Sequence, residues 1–452
     1  SMRRLLIILT SVVLWTTGLG MNPAVAVDTT FSCGTGTYTV SDGVLAYGYC
    51  TADLVVLDSS VTSIGYGAMN GWRIKAITIP ATVITIQNGA FYAVPNLETI
   101  TVDVSNSHFK TVDGVLMNTL ENRIIYYPGA KSGTTYNVPD SVVTLDNRAF
   151  GCLTYLQVVN ISETTTAIDL SSFSTCEYIT PSLQEINVAE TNTTYKSINH
   201  VLFSKDGTFL LNYPGNYAQP NYDIPEGTVT ISGNAFSYTA IQSVTFPSTL
   251  VTIQSYAFSY TSSLVSVGEF PSIYGYSGSA SPFIGAIKVP SFSVASANNN
   301  FVSVEGVMFS KNQSILREYP GGKTGTTYRI PDSVTEVDGQ AFANTYLKTL
   351  TVPSTLLTIG YSYINLDYLV FEETGTISSI SGFNYVEHII YCGSTNAEIT
   401  RFATSLGKSV ECVESFFTSA PDAPTIGTAT ALSPTSASIS FTAPTSNGGA
   451  TI

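Results

Sequence analysis

The chain has 452 residues, enough for two or three ordinary domains or for one elongated array, and its 44% apolar and 11% charged residues favour strands and turns over solvated helices. Its formal net charge of −14, from 18 Lys+Arg against 32 Asp+Glu, leaves little material for a basic face. Nucleic acid and anionic membrane surfaces are therefore disfavoured as partners, and a mostly β protein is expected.

In chain order, residues 1–26 read as a secretory signal peptide, with Arg3 and Arg4, an apolar run from Leu5 to Leu14, and Ala24-Val25-Ala26 as a small-x-small cleavage site. The run is short and is broken by Thr16, Thr17 and Gly18, which makes a membrane anchor the weaker reading. Export places the six cysteines in an oxidising compartment. They fall into local pairs, Cys33 with Cys50, Cys152 with Cys176 and Cys392 with Cys412. Six cysteines allow about fifteen connectivities; sequential bonding is expected because each such pair closes a loop of roughly twenty residues. Zinc is disfavoured, since there is no Cys-x-x-Cys and none of His108, His200 and His388 stands in a ligand pattern with a cysteine.

From residue 61 to 391 two short phrases alternate. The first is an aliphatic residue, three variable residues, then Ala and Phe or Met, as in Ile64…Ala68-Met69, Ile86…Ala90-Phe91, Leu145…Ala149-Phe150, Ile231…Ala235-Phe236, Ile253…Ala257-Phe258 and Val337…Ala341-Phe342. Neighbouring copies lie 22 or 23 residues apart. The second has apolar residues at its first, fourth and sixth places, as in Leu97/Ile100/Val102 and Leu347/Leu350/Val352, with the alternation of a strand that buries one face. Longer inserts open FKTVDGVLM, YKSINHVLF and FVSVEGVMF, and each ends in Tyr-Pro-Gly after a polar centre, as a β-hairpin would. Residues 127–142, YPGAKSGTTYNVPDSV, recur at 319–334 as YPGGKTGTTYRIPDSV, twelve of sixteen identical, and mark where an insert rejoins the array.

At these phrases the chain resembles the BspA-like leucine-rich repeat family of bacterial and protist surface proteins, over about residues 60–392. It departs from the common leucine-rich repeat in lacking the Asn after the strand and in often replacing Leu by Ile or Val. The resemblance implies a mostly β leucine-rich repeat solenoid with β-hairpin inserts, and attachment to host proteins or other cells. Residues 27–60 are expected to cap one end of the solenoid. Residues 392–415, with a short helix from Asn396 to Gly407, are expected to cap the other. After a linker at 416–420, residues 421–452 resemble the first strands of a fibronectin type III domain, an incomplete β-sandwich inside which the chain is expected to stop, so that more protein would follow.

Chemical readings find little support. Gly322-Lys323-Thr324 ends like a phosphate-binding loop, but Arg317 stands where that loop needs its first Gly and a strand-like stretch follows where a helix is required. His200 replaces the Gly of a hairpin bend, where His is tolerated, and the three histidines suggest no shared site. Glu372-Glu373 reads as a solvated strand edge. No catalytic residue, cofactor or metal is assigned.

The candidate binding residues are the polar places of the strand phrases, expected to stack into one hydroxyl-rich stripe. They include Thr78, Thr99, Thr101, Asn160, Glu185, Asn187, Ser243, Thr245, Thr349 and Thr351. Tyr274 and Tyr276 join them, with Tyr217 and Tyr222 weighed as contact residues against core. The expected function is a secreted or cell-surface, non-enzymatic adhesion protein that binds an extracellular protein or a cell-surface ligand, glycans included. The alternative is the targeting region of a larger extracellular enzyme whose catalytic domain lies beyond residue 452.

Overall fold

The computed structural model describes residues 28–413 apart from 177–178, 273, 277–279 and 373–376, together with 416, 425–433 and 436–442. The expected leader at 1–26 and most of the expected linker lie outside the described residues.

Each full turn of the solenoid carries two short strands. The aliphatic residue that opens the first phrase ends a two-residue strand, and these strands stack in parallel: Ile64 beside Ile86, Leu145 beside Ile168, Ile231 beside Ile253. The second phrase forms a strand on another side of the coil, of three or four residues in most turns and of ten and nine in Ser362–Phe371 and Phe383–Tyr391, with Ile77 beside Ile100 and Val159 beside Ile186. Between them the Ala-Phe segment turns the chain. Ala235 N–H donates to Ser232 O, and Phe236 N–H donates to Ala257 O of the next turn. The alanine is buried against neighbouring backbone, and the aromatic rings stack from turn to turn, Phe150 on Phe173 and Phe236 on Phe258 at 5.2 and 4.6 Å.

The inserts contain one strand more than expected. Each is a three-stranded antiparallel meander, Phe109–Val112, Val115–Asn118 and Arg123–Tyr126 in the first, with equivalents from Tyr195 to Asn212 and from Phe301 to Glu318. The bend after the first strand uses two residues in the left-handed region, Asp113-Gly114, Asn199-His200 and Glu305-Gly306, the geometry of a tight hairpin turn. The third strand then pairs in parallel with the next two-residue strand, Ile124 beside Leu145, so the insert feeds directly into the stack.

The middle strand of each meander is buried on both faces. Leu116 packs with the core before the insert, while Val115 and Met117 pack with the core after it. Leu202 against Val201 and Phe203, and Met308 against Val307 and Phe309, divide in the same way. The inserts are therefore transverse walls between successive cores. The expected N-terminal cap is a fourth such meander, Asp28–Cys33, Gly36–Ser41 and Val44–Gly48, with Leu45 beside Ile64. Four modules result, spanning 28–102, 109–188, 195–276 and 301–411.

Ahead of each internal wall lies a buried asparagine that sequence reading missed. Asn192 donates through Nδ2 to the carbonyls of Ser162 and Thr165 at 2.9 and 2.8 Å, and its Oδ1 accepts from the N–H groups of Thr194 and Tyr195. Asn106 and Asn298 make the same four bonds. These three turns do carry an Asn after the strand, one place later than in the common repeat at Asn106.

All three cysteine pairs are bonded as expected, 33–50, 152–176 and 392–412. At the C-terminal end, the helix Ala397–Ser405 is capped by Asn396, whose Oδ1 accepts from Glu398 and Ile399 N–H, and buries Ile399, Phe402 and Ala403 against the last turns. Strands Thr425–Ser433 and Ser436–Thr442 form an antiparallel pair.

Replacing Asn192 by Ala leaves two buried carbonyls and two partly buried N–H groups without partners, a loss of about 3 kcal/mol. Urea denaturation of the variant checks this; a loss under about 1 kcal/mol would show that the asparagine does not hold the seam.

Candidate functional site

The outward residues of the longer strands do not form one stripe. They fall into four sheets, and at two of the three internal seams the meander's first bend occupies the place of the next strand: Ile186 N–H donates to His200 O at 3.0 Å, and Phe292 N–H to Gly306 O at 2.8 Å.

The first sheet presents Ala76, Thr78, Thr99 and Thr101 beside Leu54 and Val56, which are 60% and 64% exposed. The second carries a hydrogen-bonded amide ladder, Asn187 to Asn160 at 3.0 Å and Asn160 to Asn137 at 2.7 Å. Glu185 accepts from Asn187 Nδ2, and His200 Nδ1 lies 2.7 Å from Asn187 Oδ1. His200 is thus more than tolerated at its left-handed bend, since its ring ends the ladder. On the third sheet Ser243 donates to Asn221 and Thr245 to Asp223. The fourth sets Thr349 and Thr351 beside Arg329, whose guanidinium is bidentate to Glu372 at 2.7 Å and also reaches Asp332. The Glu372 ion pair raises the pKa of Arg329 further above its ordinary range. Glu372 is a structural partner here, and Glu373 lies outside the described residues.

Tyr274 is a correction: it is 1% exposed, its ring packing on Phe270 and Phe301 in the core. Tyr276 lies in a two-residue strand beside Ile253. Tyr217 and Tyr222 are also buried, both edge-on to Tyr213. Outward tyrosines lie elsewhere: Tyr260 stacks on Tyr238 at 4.9 Å, each two residues after the Phe of its Ala-Phe phrase, a spacing legible in the sequence.

The duplicated YPG phrase is structural. Tyr127 and Tyr136 pack edge to face at 5.2 Å, as do Tyr319 and Tyr328 at 4.8 Å, and Tyr127 and Tyr319 start the aromatic stacks of their modules. Lys323 Nζ donates to the carbonyl of Glu305 on the meander bend. His108 is exposed at the first internal seam, and His388 stacks on Tyr368 in the fourth sheet with Nδ1 3.0 Å from Glu411. The three histidines thus belong to different places. Among the described residues no group of three His, Cys, Asp or Glu side chains converges as metal ligands, and no helix is long and apolar enough to cross a membrane.

One concave feature stands apart from the sheets. At the seam between the third and fourth modules an open cleft of about 780 Å³ is lined by Asn299, Asn300, Asn312, Arg317 and Asp338, among others. Arg317 Nη1 lies 2.7 Å from Asp338 Oδ2. Below it Glu318 is buried, its Oε1 accepting from Ser281 Oγ at 2.6 Å, and burial pushes its carboxyl up to about 8, with Asp338 adding to the rise.

Comparison with known protein families matches the chain to the BspA type leucine rich repeat region, in six copies, over residues 43–127, 126–206, 215–317 and 321–402. No curated protein matches it. Among solved structures it is similar to a leucine-rich repeat protein from Eubacterium ventriosum, at 17% identity, 80% of this chain, 87% of that chain and TM-score 0.41. It is also similar to a leucine rich cell surface protein from Faecalibacterium prausnitzii, at 16% identity, 83% of this chain, 97% of that chain and TM-score 0.33. A third is the pneumococcal vaccine antigen PcpA, at 14% identity, 86% of this chain, 100% of that chain and TM-score 0.34.

Glu318 makes the fold sensitive to pH. Its folded-state pKa of about 8 exceeds the ordinary 4.5, so the folded chain keeps a proton that the unfolded chain releases. The stability it contributes is full below about pH 4.5 and is lost as the pH rises to about 8. Urea midpoints measured between about pH 5 and about pH 9 should fall for the parent chain and stay flatter for Glu318→Gln.

Proposed function

The chain belongs to the BspA-type leucine-rich repeat family, and from this premise we propose that it is an exported, non-enzymatic adhesion protein that docks extracellular partners on the outward faces of its sheets. The observation that carries the reading is the first sheet, where Leu54 and Val56 are mostly exposed beside a row of threonines. Exposed aliphatic side chains on a rigid, uncharged strand surface suit a protein partner, since burying them removes apolar area from water without stripping a charge. The amide and hydroxyl pairs of the second and third sheets bond to one another, which keeps those faces flat.

Export is supported by the leader-like residues 1–26 and by six cysteines that all pair within the chain. On this reading the antiparallel strands 425–433 and 436–442 begin a fibronectin-like spacer module.

Binding to purified extracellular matrix proteins and to whole cells, read by biolayer interferometry and flow cytometry, tests the docking surface. Leu54→Lys with Thr101→Lys should weaken binding about tenfold or more without lowering the melting temperature, a change of roughly 1.4 kcal/mol. Absence of binding to both classes of target would remove the adhesion reading. Export has its own check: N-terminal sequencing of the secreted chain should begin at Val27.

A further inference from the structure

We propose that the cleft between the third and fourth modules is a binding site for a neutral oligosaccharide, separate from the sheet faces. The equivalent positions between the first and second modules lie 192 residues upstream in the duplicated stretch. A small space of about 10 Å³ lies beside Ile125 and Tyr126 there, and one of the same size lies beside Arg317 and Glu318 here, so the inner packing of the two seams is alike.

Three of the lining positions that differ bear on the ligand. Arg317 stands where the earlier seam has Ile125, Asn312 where it has Leu120, and Gly339 where it has Asn147. Two apolar side chains have become polar and one side chain has been removed from the mouth. A Cβ on Gly339 would meet nothing nearer than Tyr361 N at 4.0 Å, and its φ is not in the left-handed region, so nothing in the local packing demands glycine there. The about 780 Å³ of the cleft falls within the size range of small-ligand sites.

The wall chemistry selects the ligand. Arg317 and Asp338 are paired, so together they offer donors and acceptors with no net charge. Asn312 has its carbonyl oxygen held by Ser310 Oγ, Ser314 N–H and Ser314 Oγ, which fixes the amide and leaves its NH₂ on offer. Exposed Asn299 adds a second amide, while Lys311 is bonded to the carbonyl of Ser296. Phe301 closes the floor. A surface of amides and a matched ion pair complements a molecule that donates and accepts hydrogen bonds at every turn and carries no charge of its own. A chain of sugar hydroxyls has that property. A polyanion would find the Lys311 ammonium at the rim but would also meet Asp338 and a protein of net charge −14.

Saturation-transfer NMR and calorimetry on the full chain test the proposal with cellohexaose, mannohexaose and N-acetylchitohexaose as neutral probes and hexagalacturonate as the charged one. At least one neutral probe should bind. Gly339→Asn, which adds to the mouth the side chain found at the upstream seam, and Asn312→Ala should each weaken it about tenfold, with the melting temperature unchanged. Leu54→Lys with Thr101→Lys should leave sugar binding as it was, which separates this site from the protein-docking face. The proposal is overturned if none of the neutral sugars binds, if the galacturonate alone binds, or if binding survives in both cleft variants.

Discussion

A strand that is apolar on both faces cannot lie on a surface, and the architecture follows from that constraint. Val115-Leu116-Met117, Val201-Leu202-Phe203 and Val307-Met308-Phe309 each need a core on either side, so the meander that contains them must stand across the solenoid axis. Once it does, the array is cut into modules, each with its own aromatic stack. The longer strands can then no longer run as one sheet, because the bend of the wall fills the next position with a carbonyl. The same cut creates seams, and the open cleft between the third and fourth modules lies at one of them.

Polar residues at these seams are tied to backbone. Asn106, Asn192 and Asn298 give their whole hydrogen-bonding capacity to the turn before the wall and the strand that opens it, which fixes the angle at which one module hands over to the next. The residue before Tyr-Pro-Gly shows what happens when that position drifts. It is Tyr126, Asn212 and Glu318 in turn, all buried, and the carboxyl is accommodated by holding its proton and bonding to Ser281.

Features carried by one residue type at a fixed spacing were legible in the sequence. The Ala-Phe turns, the strand phrases, the capped helix at Asn396 and the cysteine pairing belong to this group. The first meander strand was not, because Tyr195–Ile198 is half-buried throughout and gives no alternation to read. The division of the stripe was hidden because a backbone carbonyl causes it, with no side-chain signature at His200 or Gly306. Tyr274 misled through its neighbours: a Gly- and Ser-rich setting suggests a loop, yet the ring fills the core beside Phe270. The asparagine clasp was available to sequence reasoning, since in all three cases the Asn lies three residues before the aromatic that opens the meander.

The disulfides fall in the first, second and fourth modules and leave the third without a covalent tie. For a protein under tension, that module is the one whose whole length could be drawn out. Its residues 195–276 would release up to about 270 Å of chain at roughly 3.3 Å per residue. The neighbours, each with a short loop locked by a cystine, would yield less length for the same loss of structure. The third module is thus untethered chain throughout, and the cleft that takes one wall from it would lose that wall if the stretch were drawn out.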